Sequence, residues 1–155
     1  MIVRPATRTD HAASALVAYA QVAPPEPAGL ERRTANWTTL FEEQVGSPHV
    51  AEADGEIVGI LNFGPAREGD DVGELYVLYV HPDHWGSRAG QLLIEMAHAG
   101  LGRDFDQAVL SVLADNPRAR RFYERNGWEL EDVRVEPHFG GAPTEIARYR
   151  KRFDK

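Results

Sequence analysis

The amino-acid sequence predicts an α/β (α+β) fold, with a single mixed, mostly antiparallel sheet of six to seven strands and helices on both faces. Runs rich in β-branched and aromatic residues predict the strands, and segments with apolar residues at helical spacing predict the helices. Breakers rich in glycine and proline separate these elements, in the order β-α-α-β-β-β-α-β-α-β-β. The chain has 155 residues, 43% of them hydrophobic, so residues 1–155 are expected to form a single domain around one core.

The N-terminal third is predicted to contain one strand and two helices. Ile2–Pro5 is expected to be the first strand. Thr9 or Asp10 is suited to cap a helix that continues to about Ala20. The stretch APPEPAG then breaks the chain, and a second helix is expected from Glu31 to about Val45.

The middle of the chain is predicted to form a hairpin, a long strand and a helix. Asp54-Gly55 between two strand-like runs is a strong hairpin signal. Gly73–Val80 is rich in aromatic and β-branched residues, as strands are. The helix after it has its apolar residues on one stripe, at Ala89, Leu92, Leu93, Met96, Ala97, Gly100 and Leu101.

The C-terminal third is predicted to contain a buried strand, a capped helix and two final strands. Gln107–Ala114 is the buried strand. Asn116 is expected to cap the next helix, with Pro117 at its first position and Asn126-Gly127 at its end. The two final strands are expected at about Trp128–Val135 and Thr144–Arg152.

Composition excludes several classes of function. There is no cysteine, which excludes disulfides, thiolate metal sites and a cysteine nucleophile. The net charge of −7 argues against nucleic-acid binding, which needs a dense cationic surface, and fits a small cationic or amine partner better. Neither a signal peptide nor an apolar run long enough to cross a membrane is present, so a cytoplasmic location is expected.

The stretch YVHPDHWGSRAG (Tyr79–Gly90) joins a strand to a helix through a turn that contains glycine. The free N–H groups at the start of a helix carry positive potential, and glycine lets the backbone approach an anion closely. The stretch is neither a Walker A loop nor a Rossmann fingerprint. The residues alone therefore allow either a phosphate site or an ordinary turn between a strand and a helix.

Two motifs, in order and at characteristic spacing, resemble those of the Gcn5-related N-acetyltransferase (GNAT) superfamily. The first lies in YVHPDHWGSRAGQLL and the second in LSVLADNPRARRFYERNGW. The matching residues are Val80, Pro82, Gly86 and Gly90 in the first motif, and Asn116, Ala119, Phe122, Tyr123, Gly127 and Trp128 in the second. The predicted order of elements is similar to the GNAT fold over essentially the whole chain.

The resemblance implies transfer of the acetyl group of acetyl-CoA to a primary amine by direct attack. The amine would belong to a small molecule, a protein N-terminus or a lysine. Most members of the family self-associate, so a homodimer is consistent with the resemblance. The residues that it implies around the cofactor are Leu78, Tyr79, Val80, Trp85, Gly86, Ser87, Arg88, Ala89, Gly90, Gln91, Asn116 and Tyr123.

Two residues depart from the first motif of the family. Trp85 stands where glutamine or arginine is usual, and Arg88 where glycine is usual. Arginine would be strained at a position that requires positive φ. At a helical position Arg88 would lose nothing, and its guanidinium would be able to assist in phosphate binding.

The resemblance also implies the catalytic residues. Tyr123 would be the general acid for the leaving thiolate, and the alternative is that it only packs beside Phe122. Glu74, six residues before Val80, would be the base, and strand alternation places it on the face of Leu78. The alternative for Glu74 is a solvated glutamate at the start of a strand.

His138 or a water molecule is the other candidate for the base. A metal site at His81 and His84 is not expected, because no third ligand is placed convincingly. Two further classes of protein remain open: a module that binds acyl-CoA without catalysis, and a purely structural α/β domain. A binding module would bind coenzyme A without turnover, and a structural domain would not bind it at all. These two measurements therefore distinguish both classes from an enzyme.

Overall fold

The computed structural model describes residues 1–10, 13–14, 46–67, 69–137 and 143–154. Two short 3-10 helices cover Arg8–Asp10 and Pro82–His84. The strands are β1 (Ile2–Pro5), β2 (His49–Ala53), β3 (Glu56–Ala66), β4 (Gly69–Val80), β5 (Gln107–Leu113), β6 (Glu129–Pro137) and β7 (Pro143–Arg152). The helices are α1 (Ala89–Asp104) and α2 (Pro117–Arg125).

The seven strands form one sheet in the order β1-β2-β3-β4-β5-β7-β6. β1–β2, β2–β3, β5–β7 and β6–β7 are antiparallel. β4 and β5 pair in parallel, with a register that runs from Gly73 opposite Ala108 to Leu75 opposite Leu110. The prediction of a single mixed, mostly antiparallel sheet is confirmed.

The chain folds as two compact units: Met1–Gly64 with Val77–Gly100, and Pro65–Tyr76 with Leu101–Lys155. In the first unit, Val50 and Ile60 are fully buried and Tyr79 packs against them. Gly59 is needed there, because a Cβ at this position would lie 2.8 Å from Leu93 Cδ1 and 3.3 Å from Tyr79 O. β3, the end of β4 and α1 are therefore closely packed in this unit.

In the second unit, α2 is fixed to β7 by buried polar contacts. Tyr149 is fully buried, and its hydroxyl donates to Glu124 Oε2 at 2.6 Å. Arg120 Nε donates to Tyr149 Oη at 3.0 Å, and its Nη1 donates to Ala114 O at 3.0 Å. Burial raises the pKa of the Tyr149 phenol, so it stays protonated as a donor to Glu124 at neutral pH.

The Asp54-Gly55 hairpin is confirmed. Asp54 has φ 52° and Gly55 has φ 81°, as a tight turn with two left-handed residues requires. The predicted start of the long strand at Gly73 is wrong, since β4 begins at Gly69. β3 continues to Ala66, and β4 is the next strand along the chain. Gly69 and Asp71 at this end of β4 are exposed, and the composition there is typical of a loop.

The predicted first helix is only partly within the described residues. Arg8–Asp10 forms a 3-10 helix, and residues 13 and 14 are helical. Asp10 is buried and accepts from Arg4 Nη1 at 2.9 Å and from Thr7 N at 2.7 Å. The hydrogen bonds from Arg4 are the main cause that lowers the pKa of the Asp10 carboxyl. The rest of this helix and the predicted helix Glu31–Val45 lie outside the described residues.

Candidate functional site

In the first unit, the end of β4 leads into the turn that the sequence singled out. His81 N donates to Val58 O at 2.8 Å, which ties the end of β4 to β3. His81 Nδ1 accepts from Asp83 N at 3.1 Å and so caps the 3-10 helix Pro82–His84. The turn therefore starts from a fixed position on the sheet.

Gly86 lets the chain reverse before α1. Its φ is +84°, in the left-handed region that glycine adopts without strain, and a Cβ there would meet no atom within 4 Å. Among the described residues, Asp54 is the one non-glycine residue with positive φ, so Arg88 is not in this conformation. Arg88 thus replaces the family's glycine without backbone strain.

Trp85, the other departure from the motif, has a structural contact of its own. Its side chain folds back so that Nε1 donates to Val80 O at 2.9 Å. The residue nevertheless stays 45% exposed. The hydrogen bond therefore joins the turn to the end of β4, while the indole remains partly exposed.

The start of α1 offers hydrogen-bond donors to an anion. Leu92 N donates to Arg88 O at 3.0 Å, which is the first hydrogen bond of the helix, and Ala89 N donates to Ser87 Oγ at 3.2 Å. Amides of the first turn have no acceptor one turn earlier, and the helix dipole adds positive potential there. Gly86, Ser87 and Arg88 are exposed. The geometry of this turn, with the space beside Gly86, fits a phosphate.

In the second unit, Asn116 caps α2. Its Oδ1 accepts from Ala119 N at 3.1 Å, and Pro117 occupies the first helical position. The predicted cap is therefore confirmed. Contact of Asn116 with a cofactor stays a prediction.

Tyr123 is held by the way in which α2 ends. Trp128 N donates to Tyr123 O at 3.1 Å and Gly127 N donates to Glu124 O at 3.2 Å, which is the hydrogen-bond pattern of a Schellman motif. Gly127 has φ +90°, as the left-handed position of this motif requires. Tyr123 is 8% exposed and its ring lies 6.4 Å from that of Trp128. The glycine and tryptophan of the second motif thus fix the position of the tyrosine.

Glu74 is buried in an ion pair. It is 6% exposed, so the alternative of a solvated glutamate is wrong. Its Oε1 accepts from Arg67 N at 3.0 Å, and its Oε2 accepts from Arg67 Nη2 at 2.6 Å and from Nε at 3.2 Å. The hydrogen bond with Glu74 raises the pKa of the Arg67 guanidinium. The sequence did not reveal Arg67, because the hairpin that brings it to Glu74 extends beyond the predicted strands.

Among the described residues, no three histidine, aspartate or glutamate side chains are grouped to hold a metal ion. The rings of His81 and His84 lie edge to face, with centroids 6.5 Å apart. His138 lies outside the described residues. No helix in the described part of the chain has both the length and the apolar character needed to span a membrane.

Comparison with solved structures supports the fold. An N-acetyltransferase from Staphylococcus aureus has a TM-score of 0.81 and 15% identity, and covers 99% of this chain and 98% of its own. A ribosomal-protein-alanine N-acetyltransferase from Brucella melitensis has a TM-score of 0.78 and 21% identity, covering 99% and 100%. An acetyltransferase from Salmonella typhimurium, solved with its cofactor acetyl-CoA, has a TM-score of 0.79 and 20% identity, covering 100% and 95%.

Sequence comparison identifies more similar relatives over shorter stretches. An uncharacterized N-acetyltransferase of Archaeoglobus fulgidus is 39% identical over 101 residues, which cover 62% of this chain and 65% of that protein. A mycothiol acetyltransferase of Streptomyces coelicolor is 36% identical over 85 residues, which cover 54% of this chain and 27% of that protein. The matches thus span less than two thirds of the length of either relative.

The acetyltransferase (GNAT) family model matches residues 11–128, which is more than half of the chain. The matched range contains both motifs, the turn at Gly86 and the helix that carries Tyr123. This chain therefore belongs to the GNAT acetyltransferase family.

Proposed function

We propose that this chain is an N-acetyltransferase that transfers the acetyl group of acetyl-CoA to a primary amine by direct attack. The observation that carries the proposal is the glycine turn that leads from β4 into the first turn of α1, within the range that matches the family. The family uses acetyl-CoA, whose thioester supplies the acetyl group.

The turn before α1 is the proposed site for the pyrophosphate of the cofactor. The backbone amides from Trp85 to Gln91 would donate to its oxygens, and the exposed Arg88 is able to add a charged donor. Gly86 supports this assignment, because the space beside its Cα is open to a ligand. Tyr79 and Val80 would contribute the adjoining end of β4.

The proposed donor to the thioester oxygen is the backbone N–H of Leu78. Leu75 is the last residue of β4 that pairs with β5. β4 continues for five more residues, and Leu78 lies in this continuation. A backbone N–H aimed at the position where negative charge develops stabilises that charge without depending on the side chain.

Two side chains of the second unit are proposed to move protons. Tyr123 Oη would give a proton to the departing thiolate sulfur, and the hydrogen bonds that close the C-terminal end of α2 support such a role. Glu74 would take a proton from the amine, and His138 or water is the alternative base. Proton transfer from a phenol, with an ordinary pKa of about 10, to a thiolate whose conjugate acid has a pKa of about 8.5 is only slightly unfavourable.

The acceptor would be a small-molecule amine, a protein N-terminus or a lysine. The test is the release of free coenzyme A thiol from acetyl-CoA in the presence of a panel of polyamines, amino-acid amides and lysine peptides. We expect release that depends on the amine, together with the acetylated amine as product. Binding of acetyl-CoA without turnover of any amine would instead indicate a binding module, and no binding at all would indicate a structural domain.

A further inference from the structure

β6 is an edge strand of the sheet and carries exposed apolar side chains. Among the described strands, it pairs on one side only, with β7. Leu130, Val133 and Val135 are 46%, 48% and 68% exposed, and they are three of the six exposed large apolar residues in the described part of the chain. The N–H and C=O groups on the outer edge of such a strand are able to pair with a further strand.

The three apolar residues lie on one face of the sheet, and we call them the apolar strip. In the register with β7, Leu130 is opposite Tyr149 and Val133 is opposite Ala147, and residues directly opposite share a face. Val135 follows on the same face, because side chains alternate along a strand. Tyr149 and Ala147 are fully buried. The apolar strip therefore continues the buried face of β7 to the edge of the sheet.

The features that usually protect an edge strand lie at the two ends of β6. Bulges, prolines and charged side chains prevent edge strands from pairing with other chains. The register shift of β6 lies between Leu130 and Asp132, and Pro137 is the last residue of the strand. The five residues between them, from Asp132 to Glu136, pair with β7 in unbroken register. This regular stretch has the length and shape to receive another strand.

The charges of this stretch are complementary to themselves. Asp132 and Arg134 lie on the face opposite the apolar strip, where Arg134 Nε donates to Asp132 Oδ2 at 2.9 Å. If two copies of β6 pair in antiparallel fashion about a two-fold axis at Val133, Asp132 of each copy is opposite Arg134 of the partner subunit. An axis at Asp132 or at Arg134 would instead place two like charges opposite each other, which is destabilising. The charge pattern therefore favours the axis at Val133.

We propose that β6 pairs with β6 of a second copy of this chain, so that the two sheets join at this edge. Val133 is then opposite Val133 of the partner subunit, and Val135 is diagonal to it on the same face. The pairing covers these valines and satisfies hydrogen-bonding groups along the outer edge of both strands. A two-fold interface uses the same surface of both copies, which is what a self-complementary strand provides.

The first experiment is sedimentation equilibrium over a range of protein concentrations. We expect wild-type protein to form a dimer, and Val133→Lys to raise the dissociation constant of the dimer at least about tenfold, because it places two ammonium groups opposite each other at the axis. Ile2→Lys, which changes an exposed apolar residue of β1, is the control and should dimerise as the wild type does. The circular dichroism spectrum should be the same for all three proteins, since both positions are exposed.

The second experiment maps the register by disulfide formation. The chain has no cysteine, so each variant carries a single thiol. In the proposed register the Cα atoms of Val133 and of Val133 of the partner subunit are about 5 Å apart, within the range of a disulfide. Mild oxidation should therefore convert Val133→Cys to a covalent dimer. Val135→Cys is the matched control, since the two copies of this position are offset by four residues, or about 14 Å.

Random collision would give the opposite preference, because Val135 is more exposed than Val133. Disulfide formation by Val135→Cys that equals or exceeds that by Val133→Cys would overturn the proposed register. A wild-type protein that is monomeric at every concentration, whether or not a different protein covers the apolar strip, would overturn the proposed dimer. A dimer that Val133→Lys leaves intact would also overturn it. The proposed acetyl transfer uses other residues and does not depend on these results.

Discussion

At the scale of the residue, Glu74 is where the structure adds most to the prediction from sequence. The carboxylate is buried, and both of its oxygens accept hydrogen bonds from Arg67. A base must accept a proton from the amine, whereas both oxygens of Glu74 already accept hydrogen bonds from Arg67. The pair therefore allows two roles that experiment can separate: a base in its own right, or an anion that positions Arg67.

We expect Glu74→Gln to lower kcat/KM by about a hundredfold, the smaller end of the effect of a general base. The pH–rate profile should also shift, because glutamine cannot take a proton from the amine. The measurement is the pH dependence of amine acetylation at saturating acetyl-CoA. If the profile of Glu74→Gln is that of the wild type, Glu74 is not the base.

Arg67→Ala is the matched variant, since it removes the cation but keeps the carboxylate. If Glu74 is the base, Arg67→Ala should stay active, because the carboxylate is retained. Activity as low as that of Glu74→Gln would show instead that the ion pair acts as a unit. In that case the role of base passes to His138 or water.

At the scale of the element, both ends of α2 are fixed by the residues of the second motif. Asn116 caps the N-terminus, and Gly127 and Trp128 complete the Schellman motif at the C-terminus. The carbonyl of Tyr123 accepts the hydrogen bond that closes this motif, so the position of the tyrosine depends on the glycine. Asn116, Gly127 and Trp128, which match the second motif, therefore each have a local structural role that does not depend on catalysis.

Gly127→Ala should destabilise the protein by about 1–2 kcal/mol, the penalty for an L-residue in the left-handed region. The added Cβ would also lie 2.6 Å from Lys151 Nζ, although this flexible side chain is able to move. The measurement is the denaturant midpoint at unchanged m-value. Gly69→Ala is the control, because Gly69 has open space around it and no positive φ, and it should cost little. Equal stability of Gly127→Ala and wild type would contradict the assignment of the motif.

At the scale of the whole molecule, local signals in the sequence predicted most of the described elements. The Asp54-Gly55 turn, the Asn116 cap and the Gly127 stop each depend on one or two residues with restricted backbone preferences, and all three are confirmed. The extension of β4 to Gly69 was missed, because a polar hairpin end resembles a loop in composition. The burial of Glu74 was missed for the same reason, since its partner Arg67 lies across that hairpin.

The order of the strands in the sheet did not follow from local signals. β7 lies between β5 and β6, so the last strand of the chain is inserted beside β5 and β6 is left at the edge. Such an arrangement depends on packing between segments distant in the chain. The sequence analysis predicted the order of the elements along the chain, but not the order of the strands in the sheet.

The central claim is that the chain catalyses acetyl transfer with Tyr123 as the proton donor. The most direct measurement is the rate of amine-dependent thiol release by wild type and Tyr123→Phe, together with the dissociation constant of acetyl-CoA for each. We predict that kcat of Tyr123→Phe falls by about 10²–10⁴-fold, as for loss of a general acid, while the dissociation constant changes by less than about twofold. A kcat of Tyr123→Phe equal to that of the wild type would contradict the claim.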